Sequence, residues 1–162
     1  MIFAKLRGAA VTALDLRADR LDFCRAGIGV DHCAPADGDA ARALSHMTDG
    51  DFFDVVIDAT GDARAMMAGL AYVAHGGAYV LVSVVKDAIA FPDPELHKRE
   101  TTLLASRNAT REDFVTVLDA LRAGKVPTRA LVTHRASLAE AAARFPSWIN
   151  PASGEIKAMI EI

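Results

Sequence analysis

Four short stretches of this chain carry residue types that can bind or orient a nucleotide-like ligand. The first ends on Asp15, which closes an apolar run over 9–14 and is followed by Arg17, Arg20 and an amphipathic segment toward Ala26. A carboxylate at the tip of a buried strand can accept both hydroxyls of a ribose, and it repels a phosphate esterified to one of them. The same residue would also serve as a helix N-cap for a segment beginning at Ala18. Arg17 and Arg20 can stack on a purine or approach a phosphate, or simply solvate a helix start. The second stretch is V-V-I-D-A-T-G at 55–61, where Ala59, Thr60 and Gly61 make a tight exit of small residues that lets a ligand approach the backbone. The third is V-L-V-S-V at 80–84. Its tip, Val82, Ser83 and Val84, can offer backbone groups to a carboxamide or be an ordinary buried strand. The fourth is S-R-N-A-T at 106–110. A buried Arg107 there needs an anionic or carbonyl partner; otherwise Arg107 and Asn108 build the turn before Thr110.

Other chemistries find no support. The histidines at 32, 46, 75, 97 and 134 and the cysteines at 24 and 33 are scattered, with no spacing of a zinc ligand set or a CxxC pair. No serine nucleophile elbow and no carboxylate pair stands out, so no catalytic residue and no metal ligand is nominated. A net charge of −3 argues against a nucleic-acid surface. The longest apolar stretch, 78–85, is too short to span a bilayer. Two cysteines and the lack of a visible leader suit a cytoplasmic protein.

The elements that must position these residues alternate in type. With 162 residues, 52% of them hydrophobic, the chain fits one domain over 1–162. The pattern predicts a short helix ending near Gly8, strands over 9–14 and 30–33, and helices over 18–26 and 39–47. A buried strand over 54–58 leads to a helix over 63–73, which His75-Gly76-Gly77 breaks, and then to the most β-prone run, 78–85. A helical turn over 95–99 precedes a strand over 101–105. Thr110 opens a strong helix with acidic residues in its first turn and Phe114, Val117, Leu118 and Leu121 on one face, stopped by Gly124. Ser137-Leu138-Ala139-Glu140 is a second capping box, and 155–162 alternates like a half-exposed final strand. Strand and helix in alternation give an α/β fold with a parallel sheet.

In order, these segments resemble the C-terminal, cofactor-binding half of zinc-type medium-chain alcohol dehydrogenases, closest to the sorbitol, threonine and sugar-acid (idonate, galactonate, gulonate) branch. The residues that carry the likeness are A-K-L-R-G-A-A-V-T-A-L-D (4–15), D-R-L (19–21), V-V-I-D-A-T-G (55–61), G-G-A-Y-V-L-V-S-V (76–84) and H-K-R-E-T-T-L-L-A-S-R-N-A-T-R-E-D-F (97–114), then L-R-A-G-K-V and L-V-T-H-R within 121–135. The likeness implies a doubly wound Rossmann fold binding NAD, with NADP disfavoured by Asp15. It implies that Asp15 binds the adenosine ribose, that Arg20 lies along the adenine side and that Ala59, Thr60 and Gly61 contact the cofactor. Val82, Ser83 and Val84 would flank the nicotinamide, and Arg107 with Asn108 would reach its half of the molecule. The reaction implied is hydride transfer from a secondary alcohol, with zinc polarising the alkoxide.

Two parts of the family pattern have no counterpart in these residues: the zinc ligands, and the first strand with its G-x-G-x-x-G loop. The expected fold is thus an incomplete doubly wound sheet lacking its first, central strand, in a truncated chain that is inactive alone. Residues 137–162 are the helix and strand that in the family pack toward the catalytic domain. The expected partners are a nicotinamide dinucleotide and a second copy joined through the sheet edge. A stand-alone nucleotide-binding or dimerisation module, or one half of a split dehydrogenase, are the alternatives.

Overall fold

Parallel ladders require crossover connections, and each ladder among the described residues is parallel. The computed structural model describes the backbone of residues 1–162 and every side chain but that of Pro151. Met1–Pro35 carries α1 (Ile2–Leu6), β1 (Thr12–Asp15), α2 (Ala18–Phe23) and β2 (His32–Pro35). Ala36–Ala109 carries α3 (Ala40–Met47), β3 (Phe53–Asp58), α4 (Ala63–Gly69), β4 (Val73–Leu81), α5 (Asp93–Arg99) and β5 (Thr102–Ala105). Thr110–Ile162 carries α6 (Arg111–Arg122), α7 (Thr128–Leu131), β6 (Val132–Ser137), α8 (Leu138–Trp148) and β7 (Lys157–Glu161). The first and third of these segments form one compact unit, and the second segment forms another.

In the first unit β1 pairs with β2 alone, from Thr12 against His32 to Asp15 against Pro35. No ladder forms on the other edge of β1 among the described residues. Ala13, Leu21, Cys24 and Val30 make the core beneath it. The helix predicted over 18–26 is α-helical only to Phe23. It then widens into a π-helical turn over Cys24–Ile28, closed by Gly29 at φ 72°. Lys5 Nζ donates to both carboxylate oxygens of Asp31 at 2.9 Å, and the Val11 N–H donates to the same carboxylate at 2.7 Å. That shared acceptor ties α1 to the approach of β2.

The strand β6 was not foreseen. Its residues pair with β7, and a register shift separates Val132 from His134. Both predicted capping boxes form: the Asp113 N–H donates to Thr110 Oγ1 and the Thr110 N–H to Asp113, and Ser137 and Glu140 are paired in the same reciprocal way. The apolar face of α6 is not covered, with Phe114 63% and Leu118 47% exposed.

The capping boxes make the fold sensitive to acid. The backbone N–H and hydroxyl of Thr110 hold the Asp113 carboxyl below its ordinary range, and Ser137, with help from Arg144, does the same for Glu140. A carboxyl depressed in the folded chain stabilises it above the unfolded pKa of about 4 and loses that contribution as pH falls through the folded value. At pH 6 the double substitution Asp113→Asn, Glu140→Gln should lower the melting temperature by roughly 2–4 °C. The gap between the two melting curves should narrow as pH falls below the ordinary carboxylate range and through the depressed folded values; a gap that does not depend on pH would exclude the carboxylates as its source.

In the second unit β4 lies between β3 and β5. Along β3 the side chains alternate: Val56 and Asp58 turn inward while Val55 and Ile57 stay more than half exposed. Leu70, Val73 and Tyr79 form the core, with Val56, Leu81, Phe91 and Leu96 packed on it. Three features of this unit differ from the sequence expectation. The helix predicted over 63–73 ends at Gly69, tightens into a 3₁₀ turn over Leu70–Tyr72, and gives way to strand at Val73. His75-Gly76-Gly77 therefore does not end a helix. It is an irregularity within β4, where pairing jumps from Phe53–Val73 to Val55–Ala78 and Gly76 adopts φ 72°. The β-prone run also stops pairing early, at Leu81, which leaves Val82, Ser83 and Val84 beyond the ladder.

Arg99, at the end of α5, acts as a clamp in this unit. Its guanidinium donates to the carbonyls of Ala71 (2.9 Å) and Val73 (2.6 Å) and lies 5.2 Å over the Phe52 ring. It thereby satisfies carbonyls of the 3₁₀ turn and of the first residue of β4, and the stack occurs where Phe52 takes φ 66°, a costly conformation for an aromatic residue.

Candidate functional site

Parallel pairing in register brings the carboxyl ends of β3, β4 and β5 to one edge, because Asp58, Leu81 and Ala105 pair across the sheet. The stretches that follow are three of the four nominated from sequence: Ala59-Thr60-Gly61, Val82-Ser83-Val84 and Arg107-Asn108. Ligands of open parallel sheets bind at this end of the strands.

The edge is knitted around Asp58, which is 7% exposed. Its carboxylate accepts the Thr60 N–H at 3.1 Å, the Thr60 hydroxyl at 3.0 and 3.1 Å, and the Ser83 hydroxyl at 2.8 Å. Its backbone carbonyl accepts the Val82 N–H at 2.9 Å, and that of Leu81 accepts the Ser106 N–H at 2.9 Å. Three consecutive exits are thus held at fixed spacing. One residue on, Gly61 turns with φ 69°, and Asp62 caps α4 by accepting the N–H groups of Arg64 and Ala65. Those two donors, Ala65 first, hold the Asp62 carboxyl below its ordinary range.

Two hollows open on this edge. One, about 310 Å³, is walled by apolar Met66, Leu81, Val84 and Ala105, with Ser83 and Arg107 at the polar side. The other, about 550 Å³ and more open, is lined by Gly61 to Arg64 and by Val84 to Asp87. An apolar slot with a few convergent polar groups is the chemistry that holds a flat, amide-bearing ring. Gly61, Ser83, Val84 and Arg107 line these hollows; Ala59, Thr60, Val82 and Asn108 do not. The Thr60 hydroxyl is committed to Asp58, and Asn108 takes φ 62° in the turn that leads to Thr110.

Asp15 and Arg20 belong to the first unit. Asp15 is the last residue of β1 and accepts the Arg17 N–H at 2.8 Å. The N-cap position of α2 falls to Arg17, so Asp15 shapes the turn before the helix and does not cap it. Arg17 chelates Asp19 through Nε (3.0 Å) and Nη2 (2.6 Å), and that bond holds its guanidinium above its ordinary pKa. Arg20, half-buried, sits in the first turn of α2.

Asp58, the hub of the second unit, was not nominated from sequence, although a signal was present. In V-V-I-D the alternation that buries Val56 also turns Asp58 inward, where a carboxylate needs partners. No group of three or more His, Cys, Asp or Glu among the described residues can hold a metal ion, so these residues do not fit a zinc site.

A family model described as zinc-binding dehydrogenase matches residues 1–123. L-galactonate-5-dehydrogenase of Escherichia coli K12 is 37% identical over 140 residues, an alignment covering 85% of this chain and 41% of that protein. Sorbitol dehydrogenase of Halalkalibacterium halodurans is 27% identical over 140 residues, with the same coverages of 85% and 41%. The chain spans about two fifths of the length of these curated relatives. Among solved structures, a short chain alcohol dehydrogenase of Escherichia coli CFT073 complexed with NADH superposes with a TM-score of 0.87 at 16% identity, covering 99% of this chain and 47% of that one. A dehydrogenase of Sinorhizobium meliloti 1021 bound to NADP gives a TM-score of 0.86 at 23% identity, covering 99% and 48%. These likenesses show the Rossmann-type fold.

Proposed function

Because the chain belongs to the zinc-binding dehydrogenase family, we propose that it is the NAD-binding part of an enzyme that oxidises a secondary alcohol of a polyol or sugar acid. The observation that carries this is the convergence of Gly61, Ser83, Val84 and Arg107 on hollows at the carboxyl edge of β3, β4 and β5. The residues suit a nicotinamide dinucleotide. The apolar slot receives the nicotinamide, flanked by the turn of Val82, Ser83 and Val84, while Arg107 and Asn108 supply polar groups to that half of the cofactor. The exit at Ala59, Thr60 and Gly61 brings backbone close to it, and Asp15 accepts the adenosine ribose hydroxyls with Arg20 along the adenine side. When bound, the nicotinamide supplies the hydride acceptor. The chain's own part is to bind and orient that ring and to exclude water from one of its faces.

Support for the substrate class comes from the two relatives, one acting on L-galactonate and one on sorbitol by their names. A second copy would join along β5. That strand is one of the two edges of its sheet, and all four of its residues are exposed, Leu103 and Leu104 among them.

The test is titration of the chain with NADH, followed by fluorescence, with circular dichroism reporting the fold. Saturable binding that falls about tenfold in Arg107→Ala is expected, the size of one lost charge-assisted hydrogen bond. A folded chain that leaves NADH unbound would refute the proposal.

A further inference from the structure

We propose that Asp58 is a positioning residue whose buried charge biases the site toward the oxidised, cationic form of the nicotinamide ring. This rests on the reading that the ring lies in the hollow walled by Ser83.

Asp58 is the buried charged side chain of the core among the described residues. Its hydrogen-bond donors are a backbone N–H and two hydroxyls, all neutral. They solvate the carboxylate without cancelling its charge. An asparagine could accept the Thr60 N–H and the Ser83 hydroxyl on its one oxygen and donate to the Thr60 hydroxyl in place of accepting from it. It would also avoid the cost of burying a charge, so hydrogen bonding alone does not require an acid here. What the acid adds is a field. Ser83 bridges it to the hollow: its hydroxyl donates to Asp58 at 2.8 Å, and the same residue forms part of the hollow's wall. A ring held there lies one side chain from a fixed negative charge.

The two redox forms of the ring differ by one unit of charge, the oxidised form being cationic and the reduced form neutral. At the effective dielectric of about 20 that suits protein sites, a charge one residue away favours the cation by roughly tenfold in affinity. Arg107 and Asp87 also line the hollow, with opposite signs; both are unchanged in Asp58→Asn, so comparing that variant with wild type isolates the charge of Asp58.

The test compares NAD⁺ and NADH binding to the full chain, by calorimetry and fluorescence, in wild type and Asp58→Asn. The Kd for NAD⁺ should rise about tenfold more than the Kd for NADH. Equal losses for both forms would assign Asp58 a purely structural role and overturn the proposal. Ser83→Ala removes one hydrogen bond and keeps the charge, so it should leave the ratio of the two constants within about threefold of wild type. A ratio displaced as far as in Asp58→Asn would make hydrogen bonding its source and overturn the proposal. Should Asp58→Asn not melt cooperatively, Asp58→Glu carries the test, because the retained charge must keep the ratio and its loss refutes the idea. A folded wild-type chain that binds neither form refutes the functional reading and this inference together. Binding of both with an unchanged ratio in Asp58→Asn refutes this inference alone.

Discussion

Replacing Tyr79 by alanine is expected to destabilise the chain by about 3–5 kcal/mol, the range for emptying a fully buried aromatic site. Tyr79 is 0% exposed in the centre of the three-stranded sheet, packed on Leu70 and Val73, with Phe91 edge-on at 6.0 Å. Its hydroxyl donates to the Met66 carbonyl at 2.6 Å, near the end of α4 where carbonyls lack helical partners. Tyr79→Phe keeps the packing and leaves that carbonyl without its donor, at a cost of about 1–3 kcal/mol.

Gly69 is the other half of the same contact. A Cβ added there would fall on the Tyr79 hydroxyl and within 2.9 Å of the ring carbon that bears it. Gly69→Ala should therefore cost about 1–3 kcal/mol by overpacking, and markedly less in the Tyr79→Phe background, where the obstructing oxygen is gone. Urea denaturation of the four proteins closes the cycle; strictly additive losses would show that the two residues do not press on one another. Burial and, after it, the charge of Asp58 raise the Tyr79 phenol above its ordinary range. The unfolded chain therefore loses this proton first as pH rises. The associated stability is complete below about pH 10 and is lost above it in wild type, but not in Tyr79→Phe.

This contact also explains where the sequence misleads. An apolar periodicity carries a helix from Ala63 to Val73, and nothing local says that it must stop at Gly69. It stops because Val73 is drawn into pairing with Phe53, and its last turn lies so close to Tyr79 that a glycine is required at 69. The glycine pair at 76–77 resembles a helix terminator for the same reason: the pairing that makes it an irregularity in β4 lies in another part of the chain. β6 is a mixed run, V-T-H-R-A-S, whose inward positions hold Val132, His134 and Ala136 and so give only a weak apolar alternation, and its partner β7 is some two dozen residues away.

Signals confined to a few residues read through faithfully. The Thr110 and Ser137 capping boxes and the strand that ends on Asp58 need only their own neighbours. The candidate site divides along the same line. Its exits were legible because small residues after apolar runs mark strand ends. The hub that fixes them was legible only as an inward-turned carboxylate, because its partner Ser83 reaches it only once β3 pairs with β4.

Asp15→Ala is expected to weaken NADH binding by about tenfold to a hundredfold and to leave NADPH binding unchanged or improved, which narrows or inverts the preference between the two. This follows from the proposed role of Asp15 and from its geometry. A carboxylate has about four acceptor positions, and the Arg17 N–H takes one at 2.8 Å, which fixes the group at the tip of β1 while leaving capacity for a diol. Two charge-assisted hydrogen bonds to ribose hydroxyls, at about 1.5–3 kcal/mol each before the cost of ordering, give the NADH loss. For NADPH the same carboxylate meets a phosphate. Like charges about 4 Å apart near a protein surface repel by about 4 kcal/mol before salt screening, and the substitution removes that penalty.

Arg17 is the cation best placed in sequence to offset the repulsion, and its bidentate bond to Asp19 holds it against that neighbour. Asp19→Ala should therefore raise NADPH affinity without touching the hydroxyl acceptor, and adding it to Asp15→Ala should extend the gain. Parallel titrations of the three variants with both cofactors decide the matter. If Asp15→Ala weakens NADH and NADPH by the same factor, the residue acts only on the turn before α2, and the adenosine end of the cofactor must be held elsewhere.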